Sequence, residues 1–283
     1  MFRGGNSYAP QEPLDRLRLA PPAEVVRAVA ASRVRAQRRF RAVFIATWIV
    51  IVGGFGIAIA ATGNVDPEFL SVWAPFILGG VPVTIFVSLT SIALATVFAI
   101  IGALGRLSLV APVYAAASLY VSLVRGTPRI VQVIVWYLAL PQFGIVLPPI
   151  VAGIMALSFN YGAYMTEIFR AGIQAIPRAQ VEAAAARGMT ERLTMRRIVL
   201  PQAIRIVIPA IGNEFIAMIK DSALVSLVTI QEVFFRAQTT GSRFFRTFET
   251  LLFAAVIYWV LTMAFSLVQE RLEVRMRQAD VRI

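Results

Sequence analysis

Residues 81–105 read VPVTIFVSLTSIALATVFAIIGALG, a run without a single charged side chain. Crossing the hydrocarbon core of a membrane takes about 20 predominantly apolar residues in an α-helix, and this run exceeds that length. The rest of the chain agrees, because 58% of the 283 residues are hydrophobic and only 15% are charged. That is more apolar side chain than a globular core of this size can bury, so the sequence predicts a membrane protein.

Other apolar segments extend this prediction along the chain. They lie at residues 42–61, 109–140, 149–169, 204 to about 233, and 251–268. The segment at 109–140 is too long for one ordinary helix and is interrupted at 125–129, where Pro128 disfavours helix in the residue before it. This segment is therefore either two crossings, which makes seven spans, or a short membrane-edge helix that leads into one crossing, which makes six.

Positive charge distinguishes these two counts, because Lys and Arg concentrate beside the cytoplasmic ends of spans. With six spans and both termini inside, 22 of the 27 basic residues fall in inner segments, at 1–41, 106–129, 170–203 and 269–283. Arg236, Arg243 and Arg246 would lie outside, against the rule. Seven spans would instead place the six arginines of 170–203 outside. The sequence therefore predicts an all-α polytopic protein of about six transmembrane helices with cytoplasmic N- and C-termini.

Composition excludes several classes of function. The chain has no His and no Cys, so it has no imidazole base, no thiol nucleophile, no disulfide and no Cys/His zinc site. Its net charge of +12 could indicate nucleic-acid binding, but the basic residues lie beside the predicted spans, so we expect membrane lipid and no nucleic acid as a partner. We also expect no catalytic residue and no metal site.

The polar loop between the predicted fourth and fifth spans carries the most specific pattern. Residues 180–203 read QVEAAAARGMTERLTMRRIVLPQA. The first part favours a helix, Gly188 breaks it, and a second helix follows that we expect to end before Pro201. Small alanines let such a helix sit deep in a groove on a partner protein, where Glu182 can pair with a basic residue. The alternative is an amphipathic connector at the membrane surface.

This loop resembles the EAA loop of the permease subunits of bacterial ABC importers. The matching residues are Glu182, Ala183, Ala184, Gly188, Ile198, Leu200 and Pro201. From about residue 78 to the C-terminus, further motifs resemble the branch that imports polar amino acids such as histidine, glutamine, glutamate, arginine or opines. They include Arg125-Gly126-Thr127-Pro128, Tyr161-Gly162-Ala163-Tyr164, and Gly212-Asn213-Glu214-Phe215-Ile216 with Lys220-Asp221. One departure is Ser222-Ala223, where the family usually has Thr-Ser.

The resemblance implies a permease subunit that moves a polar amino acid across the bacterial inner membrane. It implies a five-helix core of the type I ABC importer kind at 78–268, with the coupling loop at 178–203 and a cytoplasmic tail at 269–283. The helix at 42–62, which follows a basic cytoplasmic tail at 1–41, is then an N-terminal addition. The implied partners are a homodimer of ABC ATPase subunits, an extracytoplasmic amino-acid-binding protein and a second permease copy, identical or paralogous.

ATP and Mg would be bound by the ATPase partner, and we expect no cofactor and no enzymatic activity in this chain. A phosphate-binding loop needs Gly-Lys before Ser or Thr, whereas the single lysine of the chain, Lys220, follows Ile219. The alternative function is a secondary transporter or channel that works without an ATPase. It predicts an ion-binding constellation and inverted halves, and the sequence shows neither.

Polar side chains inside the predicted spans are the candidate substrate contacts. They normally face a bundle interior or a water-filled path, because insertion at membrane depth costs about 2.5–3.5 kcal/mol for a charged residue. Those of interest are Asn160, Glu167, Asn213, Glu214, Lys220 and Asp221. Helical periodicity stacks Asn213 over Lys220 and Glu214 over Asp221, and together they could hold the ammonium and carboxylate of an amino acid. The structural alternatives are a Lys220–Asp221 pair and a Glu167–Arg170 pair.

Overall fold

The computed structural model describes residues 22–61, 63 and 65–280, and within them it contains helices and no β-strand. The α-helices are α1 (Pro22–Ala61), α2 (Pro67–Leu78), α3 (Val81–Arg106), α4 (Ala111–Arg125), α5 (Arg129–Ile134), α6 (Pro149–Gln174), α7 (Arg178–Ala186), α8 (Glu191–Thr194), α9 (Leu200–Asp221), α10 (Val233–Phe244) and α11 (Thr247–Asp280). Two π-helical segments, Val135–Ala139 and Met195–Val199, and two 3₁₀ segments, Leu140–Phe143 and Ser222–Val228, extend or join them. The all-α prediction is confirmed.

The chain divides into two compact units, Met1–Val65 and Asp66–Ile283. In the first unit, residues 1–21 of the predicted basic tail lie outside the described residues. Residues Pro22–Ala61 form the single 40-residue helix α1, so the basic residues from Arg27 to Arg41 and the apolar segment after them share one helix. Phe40, Phe44 and Trp48 stack along it with ring centroids 6.3 and 6.2 Å apart. Aromatic side chains of this kind are common where a span meets the membrane surface.

Four helical segments in the described part are long and apolar enough to cross a membrane. They are Val29–Ala58, Pro67–Arg106, Glu191–Val228 and Thr247–Met276. A fifth results if Ala111–Arg125 and Arg129–Phe143, whose axes are bent by 106°, form one broken span. The bend lies where Pro128 predicts an interruption. The count of six stays a prediction.

The remaining predicted span corresponds to α6, which is 26 residues long but less apolar than the others. Its polar side chains face protein: Ser158, Asn160 and Thr166 are at most 2% exposed. Tyr161 and Met165 of α6 pack with Ala95 and Ala99 of α3, and with Met218 of α9, in one buried cluster. A helix enclosed by its neighbours does not need the apolarity of a lipid-facing one, which explains the composition of α6.

The three arginines that contradict the positive-inside rule lie in α10 or in the turn after it, and each has a contact within the protein. Arg236 donates from Nη1 to the carbonyl oxygen of Phe76 at 2.9 Å. Arg246 pairs through Nη1 with Asp66 Oδ2 at 3.0 Å and Glu249 Oε1 at 3.1 Å. Arg243 lies over the ring of the adjacent Phe244, at 5.5 Å from its centroid. These positions are therefore explained by local packing and say little about membrane sidedness.

A buried carboxylate just before α10 joins three of the helices. Glu232 is completely buried and precedes α10 as its N-cap, accepting a hydrogen bond from the Phe235 N–H at 2.7 Å. It also accepts from Thr84 Oγ1 of α3 at 3.4 Å and from the Tyr258 hydroxyl of α11. A buried carboxylate is tolerated only when it is hydrogen-bonded, and the hydrogen bonds of Glu232 link α3, α10 and α11.

Replacing this carboxylate, in Glu232→Ala, is expected to lower the thermal unfolding midpoint of the detergent-solubilised protein. It leaves buried partners unsatisfied, and each such group costs about 1–3 kcal/mol. Tyr258→Phe removes only one of the hydrogen bonds and serves as the matched variant, with a smaller expected decrease. Equal midpoints for Glu232→Ala and the wild type would contradict this role for the buried carboxylate.

Candidate functional site

The predicted coupling loop folds as a helix, a tight turn and a second helix. α7 ends at Ala186, and Gly188 adopts a left-handed backbone with φ +77°. The N–H of Gly188 donates to Ala185 O at 2.9 Å, and the N–H of Met189 donates to Ala184 O at 3.1 Å. This pair of bonds is the Schellman arrangement that ends a helix at glycine. The first helix and its break at Gly188 agree with the sequence-based expectation.

Contrary to that expectation, the second helix does not end before Pro201. α8 continues through the π-helical segment Met195–Val199 into α9. A proline lacks an N–H and crowds the carbonyl group four residues before it. The wider π turn, in which the Leu200 N–H donates to Met195 O, accommodates Pro201 without ending the helix. The second helix of the loop, which we call its second arm, is therefore continuous with a membrane-spanning helix.

Most of the seven predicted coupling residues are accessible on this loop. Glu182, Ala183, Gly188, Leu200 and Pro201 are exposed, Ile198 is half-buried, and Ala184 is buried against the second arm. The two arms are joined by side chains, since Gln202 donates from Nε2 to Gln180 Oε1 at 2.7 Å. The loop is thus a preformed unit that presents the α7 surface around Glu182.

A second cluster of functional groups lies where α5, α6 and α9 meet. Arg129 forms an ion pair with Asp221, and the Tyr161 hydroxyl donates to Asp221 Oδ2 at 2.7 Å. The Arg129 guanidinium also lies over the rings of Tyr161 and Tyr164, at 4.6 and 5.0 Å from their centroids. We name these four residues the Arg129 cluster. Tyr161 is halfway along α6, so the cluster is far from both ends of that helix, and the Arg129 and Asp221 side chains are each 29% exposed.

A buried amide lies beside the Arg129 cluster. Asn160 is 2% exposed and donates from Nδ2 to Gln132 Oε1 at 3.0 Å. Its Oδ1 atom has no hydrogen-bond partner among the described residues. A buried acceptor without a donor is unfavourable, so this atom is suited to a ligand that brings one.

The structure separates the six predicted substrate contacts into groups. Asn160 and Asp221 lie at or beside the Arg129 cluster, and the half-buried Glu214 lies two helical turns before Asp221 on α9. Lys220 is exposed and so points away from Asp221's ion pair. Asn213 accepts a hydrogen bond from Gln269 Nε2 of α11 at 3.0 Å.

The sixth residue, Glu167, is bound by two arginines. Arg106 Nε lies 3.2 Å from Glu167 Oε1, and Arg170 Nη2 lies 2.7 Å from Glu167 Oε2. The predicted Glu167–Arg170 pair is thus present, whereas Asp221 pairs with Arg129 and not with Lys220. Glu167 joins the last turns of α3 and α6 just before the coupling loop begins.

The sequence did not predict Arg129 as a site residue, because it counts as one of the charges of the inner segment at 106–129. The structure instead places its guanidinium against Tyr161 and Asp221. One signal was available: Arg129 directly follows Pro128 and opens an apolar helix, where a charge is costly unless it has a partner. Gln132, one turn further on, was missed in the same way.

A bundle of membrane helices that projects a short helix–turn–helix continuous with one span is the architecture of importer permeases. The chain belongs to the family of binding-protein-dependent transport system inner membrane components, whose model matches residues 92–278. It is therefore a multi-pass membrane protein of the permease class. The helix α1 lies outside the matched region.

Curated relatives are named as permease proteins of amino-acid transport systems. The L-cystine transport system permease protein TcyB of Bacillus subtilis is 40% identical over 73% of this chain and 88% of its own length. The arginine transport system permease protein ArtQ of the same species is 35% identical over 73% of this chain and 94% of its own length.

Solved structures agree with this assignment. A crystal structure of an amino acid ABC transporter with histidines matches with a TM-score of 0.71 and 37% identity, over 75% of this chain and 99% of the other. The inward-facing MetNI methionine ABC transporter matches with a TM-score of 0.62 at 18% identity, over 71% of this chain and 96% of the other, and shows the shared fold alone.

Proposed function

We propose that this chain is the permease subunit of an ABC importer for a polar amino acid in the bacterial inner membrane, with both termini in the cytoplasm. The observation that carries the proposal is the continuity between the coupling loop and α9. One end of α9 joins the loop through Met195–Val199, and the other end holds Asp221 of the Arg129 cluster. Relatives named for cystine, arginine and glutamine transport support the substrate class.

The proposed source of energy is a separate homodimer of ABC ATPase subunits, which binds ATP and Mg. The α7 surface, with Glu182, Ala183 and the Gly188 turn, docks on an ATPase subunit, and a second permease copy, identical or paralogous, docks on the other. Closure of the ATPase dimer moves the loop, and α9 carries that movement about 33 Å to Asp221 at about 1.5 Å per residue. This is a switch between two packings of one bundle.

The Arg129 cluster is the proposed substrate contact. An amino acid zwitterion needs a cation for its carboxylate and an anion for its ammonium group, and Arg129 and Asp221 offer both at one place. Glu214 adds a second carboxylate, and the unsatisfied Asn160 Oδ1 adds an acceptor. Asn213, Lys220 and Glu167 are proposed to contact the substrate elsewhere on its way through the bundle.

Reconstitution into lipid vesicles tests the proposed function. The chain is combined with its ATPase subunits and with an extracytoplasmic binding protein, and uptake of radiolabelled cystine, arginine and glutamine is measured. We expect uptake of at least one of them that requires ATP, the ATPase and the binding protein together. Uptake by the permease alone, driven by an ion gradient, would instead favour a secondary transporter.

A further inference from the structure

An exposed aromatic residue occupies a strained position in the turn between α10 and α11. The side chain of Phe245 is 95% exposed, and its backbone is left-handed with φ +56°. Bulky residues rarely adopt this conformation, which glycine would adopt without cost. Strain of this kind persists only where the surrounding structure enforces it, and it clusters at functional positions.

The residues on both sides of Phe245 enforce the strained turn. Phe244 packs its ring against Trp73 of α2, with the ring centroids 4.8 Å apart. Arg246 donates its backbone N–H to Gly241 O at 2.8 Å, while its guanidinium binds Asp66 and Glu249. These contacts fix both neighbours in place, and the Phe245 ring between them is exposed. The turn is therefore a rigid support for one aromatic side chain.

The surface around this ring is polar, which places it in water and not in lipid. Four of the five exposed residues on the preceding helix are polar, namely Gln238, Thr239, Ser242 and Arg243, and the fifth is Phe244. Such side chains are costly in hydrocarbon, so this face of α10 lies outside the membrane core. Phe248, 57% exposed, lies just beyond the turn. We call Arg243, Phe245 and Phe248 the outer turn patch.

The outer turn patch and the coupling loop lie at opposite ends of α9. The loop enters α9 at Leu200, and the chain leaves α9 at Asp221 on its way to α10. The helix α3 shows the distance between them, because Arg106 in its last turn binds Glu167 near the loop, whereas Arg236 of α10 binds the carbonyl oxygen of Phe76 just before α3 begins. The 26 residues of α3 span about 39 Å, which exceeds the thickness of the hydrocarbon core. If the loop faces the cytoplasmic ATPase, the patch faces the extracytoplasmic side.

We propose that the outer turn patch binds the extracytoplasmic substrate-binding protein. Phe245 enters an apolar pocket of that protein, and Arg243 pairs with an acidic residue beside the pocket. Aromatic and arginine side chains dominate the energetics of protein interfaces, and a rigid aromatic loses little entropy on binding. Arg246 next to the patch is paired with Asp66 and Glu249, and Arg243 is the charged member of the patch itself. This inference rests on the proposed function.

The test uses the full importer in lipid nanodiscs with the binding protein that supports uptake in the reconstitution above. The variant is Phe245→Gly, which removes the ring and suits the left-handed backbone. We expect the binding protein to bind the variant importer at least about tenfold more weakly than the wild type, which corresponds to about 1.4 kcal/mol of binding free energy. Basal ATPase activity and thermal stability are expected to stay the same or improve. Phe40→Ala, which removes an exposed ring from α1, is the matched control and is expected to bind normally.

Arg243→Glu is a second variant, expected to weaken binding and to reverse its dependence on ionic strength. The binding protein is also expected to stimulate the ATPase activity of the wild-type complex. If it stimulates the ATPase activity of Phe245→Gly equally, this inference alone is wrong. If Phe245→Gly loses thermal stability in nanodiscs and binds normally, the ring is a membrane anchor and the inference is also wrong. If the binding protein does not stimulate the ATPase activity of the wild-type complex, the proposed function itself fails.

Discussion

Substitution of Gly188 by valine is expected to lower ATP-dependent uptake about tenfold or more. The left-handed backbone at this residue costs an L-amino acid about 1–2 kcal/mol, and a β-branched side chain is worse still. The valine variant is therefore expected to distort the turn between α7 and the second helix of the loop. Uptake and ATPase activity are measured in vesicles, and assembly is measured by co-purification of the ATPase subunits.

Gly144 provides a matched control for this experiment. Its φ is +79°, it is exposed, and a Cβ atom would meet nothing within 4 Å, as at Gly188. Gly144→Val therefore introduces the same kind of strain in a loop outside the proposed coupling region, and we expect uptake close to that of the wild type. Normal uptake by Gly188→Val, or equal losses in both variants, would refute a specific role for the Gly188 turn in coupling.

Neutralising the ion pair of the Arg129 cluster is expected to reduce uptake about 10- to 100-fold. The double variant Arg129→Gln with Asp221→Asn keeps hydrogen-bonding groups and removes both charges of the ion pair. It removes the proposed charged contacts to the substrate zwitterion, and hydrogen bonds to charged groups contribute about 1.5–3 kcal/mol. We expect the variant to insert, assemble and hydrolyse ATP, because only the substrate contact is lost.

The conservative pair Arg129→Lys with Asp221→Glu keeps both charges and is the control, with part of the uptake expected to remain. The single variants are expected to assemble less well than either double variant, since each leaves one charge without its partner. If the neutral double variant transports like the wild type, the ion pair only stabilises the bundle and the substrate site lies elsewhere.

Local chemistry made several elements predictable from sequence. The uncharged run at 81–105 agrees with α3, which covers Val81–Arg106, because solvation by lipid demands a continuous apolar helix. The turn at Gly188 was predictable because glycine is the residue that adopts a left-handed backbone freely. By contrast, α2 and α10 were not predicted. They are short, and long-range contacts such as the Arg246–Asp66 ion pair hold them in place.

The candidate substrate site was predictable only in part, for a related reason. Asp221 and Asn160 were identified because polar groups in apolar spans need partners. Arg129 was not, because its pairing with Asp221, 92 residues away, depends on the 106° bend between α4 and the segment Arg129–Phe143. The sequence indicates that a break exists there, but it does not indicate the angle of the bend or which residues the segment after Pro128 then faces.

The π-helical segment at Met195–Val199 also sets the rotational phase of α9. An α-helix turns about 100° per residue, so one additional residue accommodated in a widened turn rotates everything after it by that angle. If this segment tightened into a regular α-helix, Asp221 would be directed about 100° away from Arg129. Whatever stretches or relaxes this one turn therefore determines which face of α9 is presented to the interior of the bundle.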